Sequence, residues 1–341
     1  MRTGQSGAGE GNGFRLKDGL RTLLYRSGAA RLFGRRRIRH ALTVVMFHRV
    51  LPRDDPRWAS ADPVYTMDLA VFEAFLDWAR REFRPVCLPM LQEAAGGGAP
   101  LPPRSLLITL DDGWYDTPRY AAPALKARGI PGLLFVTSGA VDHDATLWRD
   151  VAAILARAGA LAAPGGSPDA IAPWLASMPA AGRDALLTGI LDRTGHLRPL
   201  MMQEAAFPLL AAADVAVGGH GVTHTPLTEA PDPESELTGC RSALARATGA
   251  EISSFAFPHG RYSPDLLGKA FAAGFRFLFT SDSVLNTLEG QRPASPVFGR
   301  IAISQQDITD GDGRFSPERA LFFLMNRRSA VLDGKRGAFP A

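Results

Sequence analysis

Short apolar runs alternate with longer amphipathic stretches along most of this chain, and that alternation constrains its fold more than any other feature. Residues 42–47, 106–110, 132–136, 215–218, 254–257, 275–279 and 297–303 read as strands. Between them, residues 68–82, 120–128, 148–158, 233–247 and 264–273 carry apolar side chains at helical spacing. Strands that alternate with helices form βα units and a parallel sheet. The expected class is therefore α/β. No repeat of fixed period and no long Pro/Ser linker divides the chain. Composition shifts once, in the Ala-, Gly- and Pro-rich residues 159–177, which read as part of an insertion or lid over 139–200.

Composition serves mainly to exclude. With 341 residues, 46% hydrophobic, 21% charged and two cysteines, the chain is neither disordered, collagenous nor a disulfide scaffold. Its length suits two or three domains, or one α/β barrel. Cys87 and Cys240 have no CxxC partner and no metal-ligand spacing, so they read as buried or incidental thiols. The net charge of +4 is uneven: eleven of 38 cations and two of 34 acids fall in residues 1–50, making that segment +9 and the remainder −5. Residues 14–33 read as a basic amphipathic helix after a flexible Gly-rich start. Such a helix either caps the domain or makes peripheral contact with an anionic membrane surface. Arg35, Arg36, Arg37 and Arg39 read first as a solvated basic face. No nucleic-acid motif accompanies them, so no nucleic-acid partner is expected. Without a signal-type segment or about 20 consecutive apolar residues, the expectation is a cytoplasmic protein, peripheral at most to the inner membrane surface. Nothing in the sequence indicates an oligomeric state. Beyond residue 305, the apolar stretch 320–325 reads as a final packed helix within a 306–341 tail.

Three strand ends carry chemistry. Leu106 to Leu110 runs into Asp111, Asp112 and Gly113, two carboxylates and a turn at the end where parallel α/β folds place their sites. Val215 to Gly219 runs into His220 and His224, with Gly218, Gly219 and Gly221 disfavouring a helix there. One carboxylate and two imidazoles make the three-ligand set of a catalytic divalent ion, and the second carboxylate is then free to act as general base. Adjacent residues of an extended chain point opposite ways, so Asp111 and Asp112 can divide the two roles. Third, Phe255 to Phe257 leads into Pro258, His259, Gly260, Arg261 and Tyr262, a turn whose backbone amides can hold an oxyanion.

These residues resemble the polysaccharide deacetylase family, also called the NodB-homology or carbohydrate esterase family 4 group. Thr109-Leu110-Asp111-Asp112-Gly113 is similar to its TFDDG motif, His220-Gly221-Val222-Thr223-His224 to its second motif, and Phe257-Pro258-His259-Gly260 to its third. Val45-Met46-Phe47-His48-Arg49-Val50 is similar to the "YHRV" segment of bacterial exopolysaccharide deacetylases. The resemblance covers about residues 43–303. It implies a distorted (β/α) barrel, a single catalytic domain at 41–305 preceded by 1–40, and hydrolytic removal of acetyl groups from N-acetylated sugars of an oligo- or polysaccharide. By that resemblance Asp111 is the general base, and Asp112, His220 and His224 hold Zn2+ or another divalent ion such as Co2+, Ni2+ or Mn2+. The His259 amide then helps hold the oxyanion.

Two parts of the family pattern are missing. The stretch Phe255-Ala256-Phe257 lacks the Arg that orients the base, and no histidine follows His259 to serve as general acid. Arg300 falls at the last strand end, but arginine stays protonated and is a poor proton donor. His48, at the end of the first strand, and His259 are the candidate acids. Trp114, Tyr115, Trp148 and Tyr262, with Pro258, are the candidate sugar contacts. Competing readings are another non-peptide amide hydrolase on the same scaffold, a glycan-binding protein with impaired catalysis, and a nucleic-acid binder built on the Arg-rich start.

Overall fold

A computed structural model of the chain describes residues 22–332 apart from residue 165. Nine of the twelve strands of its main sheet build the barrel: β1 (Ala41–Phe47), β2 (Ser105–Leu110), β3 (Gly132–Val136), β4 (Val215–Gly219), β5 (Ser254–Ala256), β6 (Phe277–Phe279), β7 (Leu285–Glu289), β8 (Val297–Phe298) and β9 (Ile301–Ala302). Strands β1, β2 and β3 are buried along their whole length, as uninterrupted apolar runs must be when both faces of a parallel sheet are covered. The parallel order is β1-β2-β3-β4-β5-β6-β8. β9 then pairs in parallel with β1, Ile301 opposite Val45, so the sheet curls back to its first strand as a distorted (β/α) barrel. β7 lies antiparallel to the start of β1.

The closing strand is not the single run expected over 297–303; it breaks at Gly299 and Arg300. The side chain of Asn286 holds the break, donating to Leu42 O and Gly299 O while its Oδ1 accepts from Gly299 N at 2.8 Å. Only glycine fits there, because a Cβ on Gly299 would lie 2.4 Å from Asp282 O. The break lets the chain pair with β6 before it and β1 after it.

Side-chain alternation sorts the strands into an inside and an outside. Leu42, Val44, Leu107, Phe135, Phe279 and Phe298 share the barrel interior. Val45, Phe47, Ile108 and Leu134 face outward into a second core with Phe72, Phe75 and Trp78 of the helix Leu69–Glu82. Asp68 caps that helix by accepting from Ala70 N, and truncating any of its buried aromatics would cost about 3–5 kcal/mol. Carried past the strand ends, the inward register of Val44, Leu107 and Phe298 arrives at His48, Asp111 and Arg300, all of which line the cavity at the top of the barrel. The interior below them is packed with Phe135, Phe279 and Phe298, so the site has an apolar floor.

Between β3 and β4 the chain forms further helices, including Trp148–Arg157 and Ala180–Arg193, around a separate apolar cluster. At the other end of the chain the expected helix 14–33 lies partly outside the described residues. The rest differs from expectation: the helical turn ends at Ser27 and Gly28, whose φ of +80° starts a second helix, Ala29–Arg37. Arg31 and Arg35 hold this helix through the buried Glu82, while Leu32 and Phe33 face solvent. The apolar stretch 320–325 lies in the helix Pro317–Met325. No helix among the described residues is long and apolar enough to cross a membrane. Both cysteines are free, and burial pushes the Cys240 thiol up to about 11, which leaves it unreactive.

Candidate active site

The two adjacent aspartates part company immediately. Asp111 continues the inward register of β2, its amide donating to Phe47 O at 3.1 Å. Asp112 is not extended, as the simple alternation assumed, but takes φ +75°, and Gly113 follows at +88°. That turn sends the two carboxylates to different partners. Asp111 receives both arms of Arg300, Nη1 to Oδ1 at 2.6 Å and Nη2 to Oδ2 at 2.9 Å, in a pair buried on both sides. The cation missing after β5 is thus supplied from the break in the closing strand. Arg300 is itself fixed by Thr280 O at 3.1 Å and lies over the ring of Phe135.

Asp112 meets the histidines. Its Oδ1 lies 3.2 Å from His224 Nε2 and 3.5 Å from His220 Nε2, is buried, and receives no hydrogen bond. Its Oδ2 accepts from the indole Nε1 of Trp114 at 2.8 Å. Burial opposes ionisation of Asp112, but the charge of the adjacent His224, whose own protonated form Asp112 favours, outweighs it and holds the carboxyl well below the usual carboxylate range. The His220 Nδ1 lies 2.8 Å from Ala256 O; a carbonyl only accepts, so the ring proton sits on Nδ1 and the Nε2 lone pair is turned to the site. One ligand atom each from Asp112, His220 and His224 lie within 4.8 Å of one another.

The loop between the histidines is built for this placement. Gly218 allows β4 to pass where a Cβ would meet Ser254 Oγ at 2.6 Å and the Phe135 ring at 2.7 Å. Glu236 then braces the turn, accepting from Val222 N, Thr223 N and the Thr223 hydroxyl at 2.7 to 3.0 Å. Among the described residues, seven non-glycine positions have positive φ, and three of them, Asp112, His224 and His259, stand at this site. Such clustering of costly backbone is typical of functional sites.

The cavity of about 590 Å³ is lined by His48, Asp111, Asp112, His220, His224 and His259 together with Arg300, Tyr65 and Asp150. His48 packs on Tyr65 with ring centroids 4.9 Å apart. His259 stands beside His224, centroids 4.6 Å apart, at the exposed rim of the cavity. Desolvation by the cavity wall, with the nearby His224 and His220 rings, pushes its imidazole down to about 4. Asp150 comes from the helix Trp148–Arg157, and burial next to Asp112 raises its carboxyl above the usual range.

Of the candidate sugar contacts, only Trp114 lines the cavity, and it is 3% exposed. Tyr115 lies under the Arg57 guanidinium, and Trp148 is flanked by Arg149 and Arg183, each 4.4 Å from its ring. Tyr262 is buried against Phe257 with its hydroxyl on Asp282, and Pro258 is buried in the turn. Aromatic character at a strand end does not say whether the ring turns to the cavity or to the core. Sequence reasoning gave no role to Asp150 or Tyr65, and considered Arg300 only as an acid. The signal for Arg300 was a lone arginine after a glycine in the middle of an apolar run.

A family model described as polysaccharide deacetylase matches residues 98–278. Among solved structures, IcaB from Ammonifex degensii is 21% identical with a TM-score of 0.53, covering 84% of this chain and 97% of that one. The Streptococcus pyogenes deacetylase PplD, solved with acetate, is 15% identical with a TM-score of 0.57, covering 83% and 98%. A de-N-acetylase from Aggregatibacter actinomycetemcomitans is 14% identical with a TM-score of 0.54, covering 77% and 95%. These likenesses show a shared fold. A search of curated proteins finds no match.

Proposed function

This chain belongs to the polysaccharide deacetylase family, and on that premise we propose that it is a metal-dependent hydrolase removing acetyl groups from N-acetylated sugars of a polysaccharide or its precursor. One observation carries the metal: a buried Asp112 oxygen facing the Nε2 atoms of His224 and His220 at 3.2 and 3.5 Å, in a cluster of three ligand atoms within 4.8 Å of one another. Two imidazole nitrogens and one carboxylate, once a cation displaces the proton that His224 holds beside Asp112, suit Zn2+ or a related divalent ion. Such an ion, held by Asp112, His220 and His224, supplies Lewis-acid polarisation of a carbonyl and acidification of a water.

The remaining work falls to the chain's own side chains. Asp111, aimed by Arg300, retains lone pairs beyond the two it gives the guanidinium and takes the proton of the attacking water. The main-chain amide of His259, in left-handed backbone at the cavity wall, is the donor for the developing oxyanion. Protonation of the departing amine falls to His48. His259 is unsuited to it, because an imidazole held near pH 4 carries no proton to give at neutral pH. Acetate and a free amino sugar leave the site.

Acetate release from N-acetylglucosamine oligomers tests this reading, measured before and after stripping and restoring the metal, with Asp111→Asn and His220→Ala as variants. Activity should vanish on stripping, return with Zn2+, and fail in both variants. Undiminished release in either variant overturns the mechanism. A panel of smaller cyclic and linear amides separates sugar deacetylation from other amide hydrolysis. A glycan binder without catalysis would bind oligomers and release nothing.

A further inference from the structure

Among the described residues, the apolar cluster of the chain between β3 and β4 has one buried member from outside that segment. Every other buried residue in it lies between Ala140 and Met201; the exception is Trp114, just past the end of β2. The same indole donates its Nε1–H to Asp112 Oδ2 at 2.8 Å. Trp114 therefore has its ring in the segment's core and its one polar atom on a proposed metal ligand.

The backbone reinforces that position. Trp114 is bridged antiparallel to Met201, Tyr115 N donates to Leu200 O at 2.8 Å, and Met202 N donates to Gly113 O at 2.9 Å. Asp144, from the same segment, accepts from Leu200 N and Met201 N at 2.9 Å each. On the other side, the Arg49 guanidinium stacks on the indole 4.5 Å from its centroid and is pinned by the buried Asp116 at 2.8 Å. A ring clamped between Arg49 and an apolar core has one orientation, and so has the proton it gives Asp112. With Oδ2 engaged, Asp112 presents Oδ1 to His220 and His224.

We propose that Trp114 is a positioning residue that couples the β3–β4 segment to the orientation of Asp112, so that cation binding and packing of that segment stabilise each other. The inference rests on the metal reading above. Binding couplings are reciprocal: if the segment's packing favours the ligand geometry, the cation must favour the packing by the same factor. A tryptophan that merely fills the core would leave cation affinity untouched when an aromatic ring is kept in its place and the N–H donor removed.

The test uses Zn2+ and the full chain. Zinc affinity is measured by chelator competition for wild type, Trp114→Phe, Leu155→Ala and the double variant, and hydrogen exchange of the helix Trp148–Arg157 is followed with and without zinc. Leu155 is fully buried in the segment's core and makes no part of the ligand set. Loss of a hydrogen bond to a metal ligand typically weakens binding about 10- to 100-fold, and that is expected of Trp114→Phe. Leu155→Ala should weaken zinc severalfold in wild type and not further in Trp114→Phe. Zinc should slow exchange in the helix for wild type and not for Trp114→Phe. Wild-type affinity in Trp114→Phe, or the same Leu155 effect in both backgrounds, overturns the coupling. If Trp114→Phe fails to fold, wild type and Leu155→Ala still decide: unchanged zinc affinity in Leu155→Ala, or no zinc effect on exchange, overturns it. A wild-type protein that binds no zinc overturns the metal reading itself, which separates the two failures.

Discussion

Asp111 and Asp112 are neighbours in sequence and opposites in environment. Asp111 is matched by a permanent cation: both its oxygens are held by Arg300 in a buried, two-armed pair. Asp112 is equally buried, yet one of its oxygens has no donor and faces two imidazole nitrogens. A buried charge is tolerated when paired, so the first carboxylate is complete in the protein alone and, on the proposed reading, the second would be completed by a bound cation. On the proposed function, the contrast also separates a carboxylate fixed for proton transfer from one kept for ligation. It arises from a single backbone turn at Asp112.

The strongest way to break this contrast is Asp112→Asn. Lewis-acid stabilisation is worth several kcal/mol and each 1.4 kcal/mol is tenfold, so acetate release should fall about a thousandfold or more, with bound metal lost. Retained metal in that variant would place the ion elsewhere. Arg300→Met attacks the other carboxylate. Removing one partner of a buried pair costs about 3–5 kcal/mol, which denaturant unfolding would register, and activity should fall while metal affinity is largely kept. Equal loss of metal in Arg300→Met would show that the two carboxylates are not independent. Next, His48→Ala should slow turnover roughly a hundredfold and remove the limb of the pH profile at which the acid deprotonates; His259→Ala should leave that limb in place. An unchanged limb in His48→Ala would remove it as the acid.

The smallest effect concerns His259. Its folded-state pKa near 4 lies below the ordinary imidazole value of about 6.5, so the neutral form is favoured by folding. Its contribution to stability is complete above about pH 6.5 and is lost as pH falls from there toward 4. Metal-stripped His259→Gln should accordingly lose less stability than wild type over that window. A steeper loss in the variant would contradict the direction.

Much of this site was legible because its residues sit in short local motifs at strand ends. Asp111, Asp112, His220 and His224 needed only the expectation that parallel strands deliver their last residues to one rim. Arg300 was not legible as the partner of Asp111, since the pairing spans distant parts of the chain and depends on a break in the closing strand. That break is allowed by Gly299, whose place in an apolar run is the one local signal of it, and held by Asn286, which carries none in a single sequence. Trp114 and Trp148 were read alike as sugar contacts. The first is buried beside Asp112 and the second lies between two arginines, a difference set by what packs above each ring. The strands read from the sequence were legible to within a residue or two, apart from the division of the last at Gly299, whereas β7 (Leu285–Glu289) was not read as a strand, and Gly28 divides what was read as one first helix.

Zinc titration of the metal-stripped protein tests the central claim most directly, with bound zinc and acetate release from N-acetylglucosamine oligomers measured on the same samples. The account predicts that both rise together and saturate at one ion per chain, and that Asp112→Asn stays silent on both. Full acetate release from the stripped protein, or undiminished release from Asp112→Asn, would contradict it.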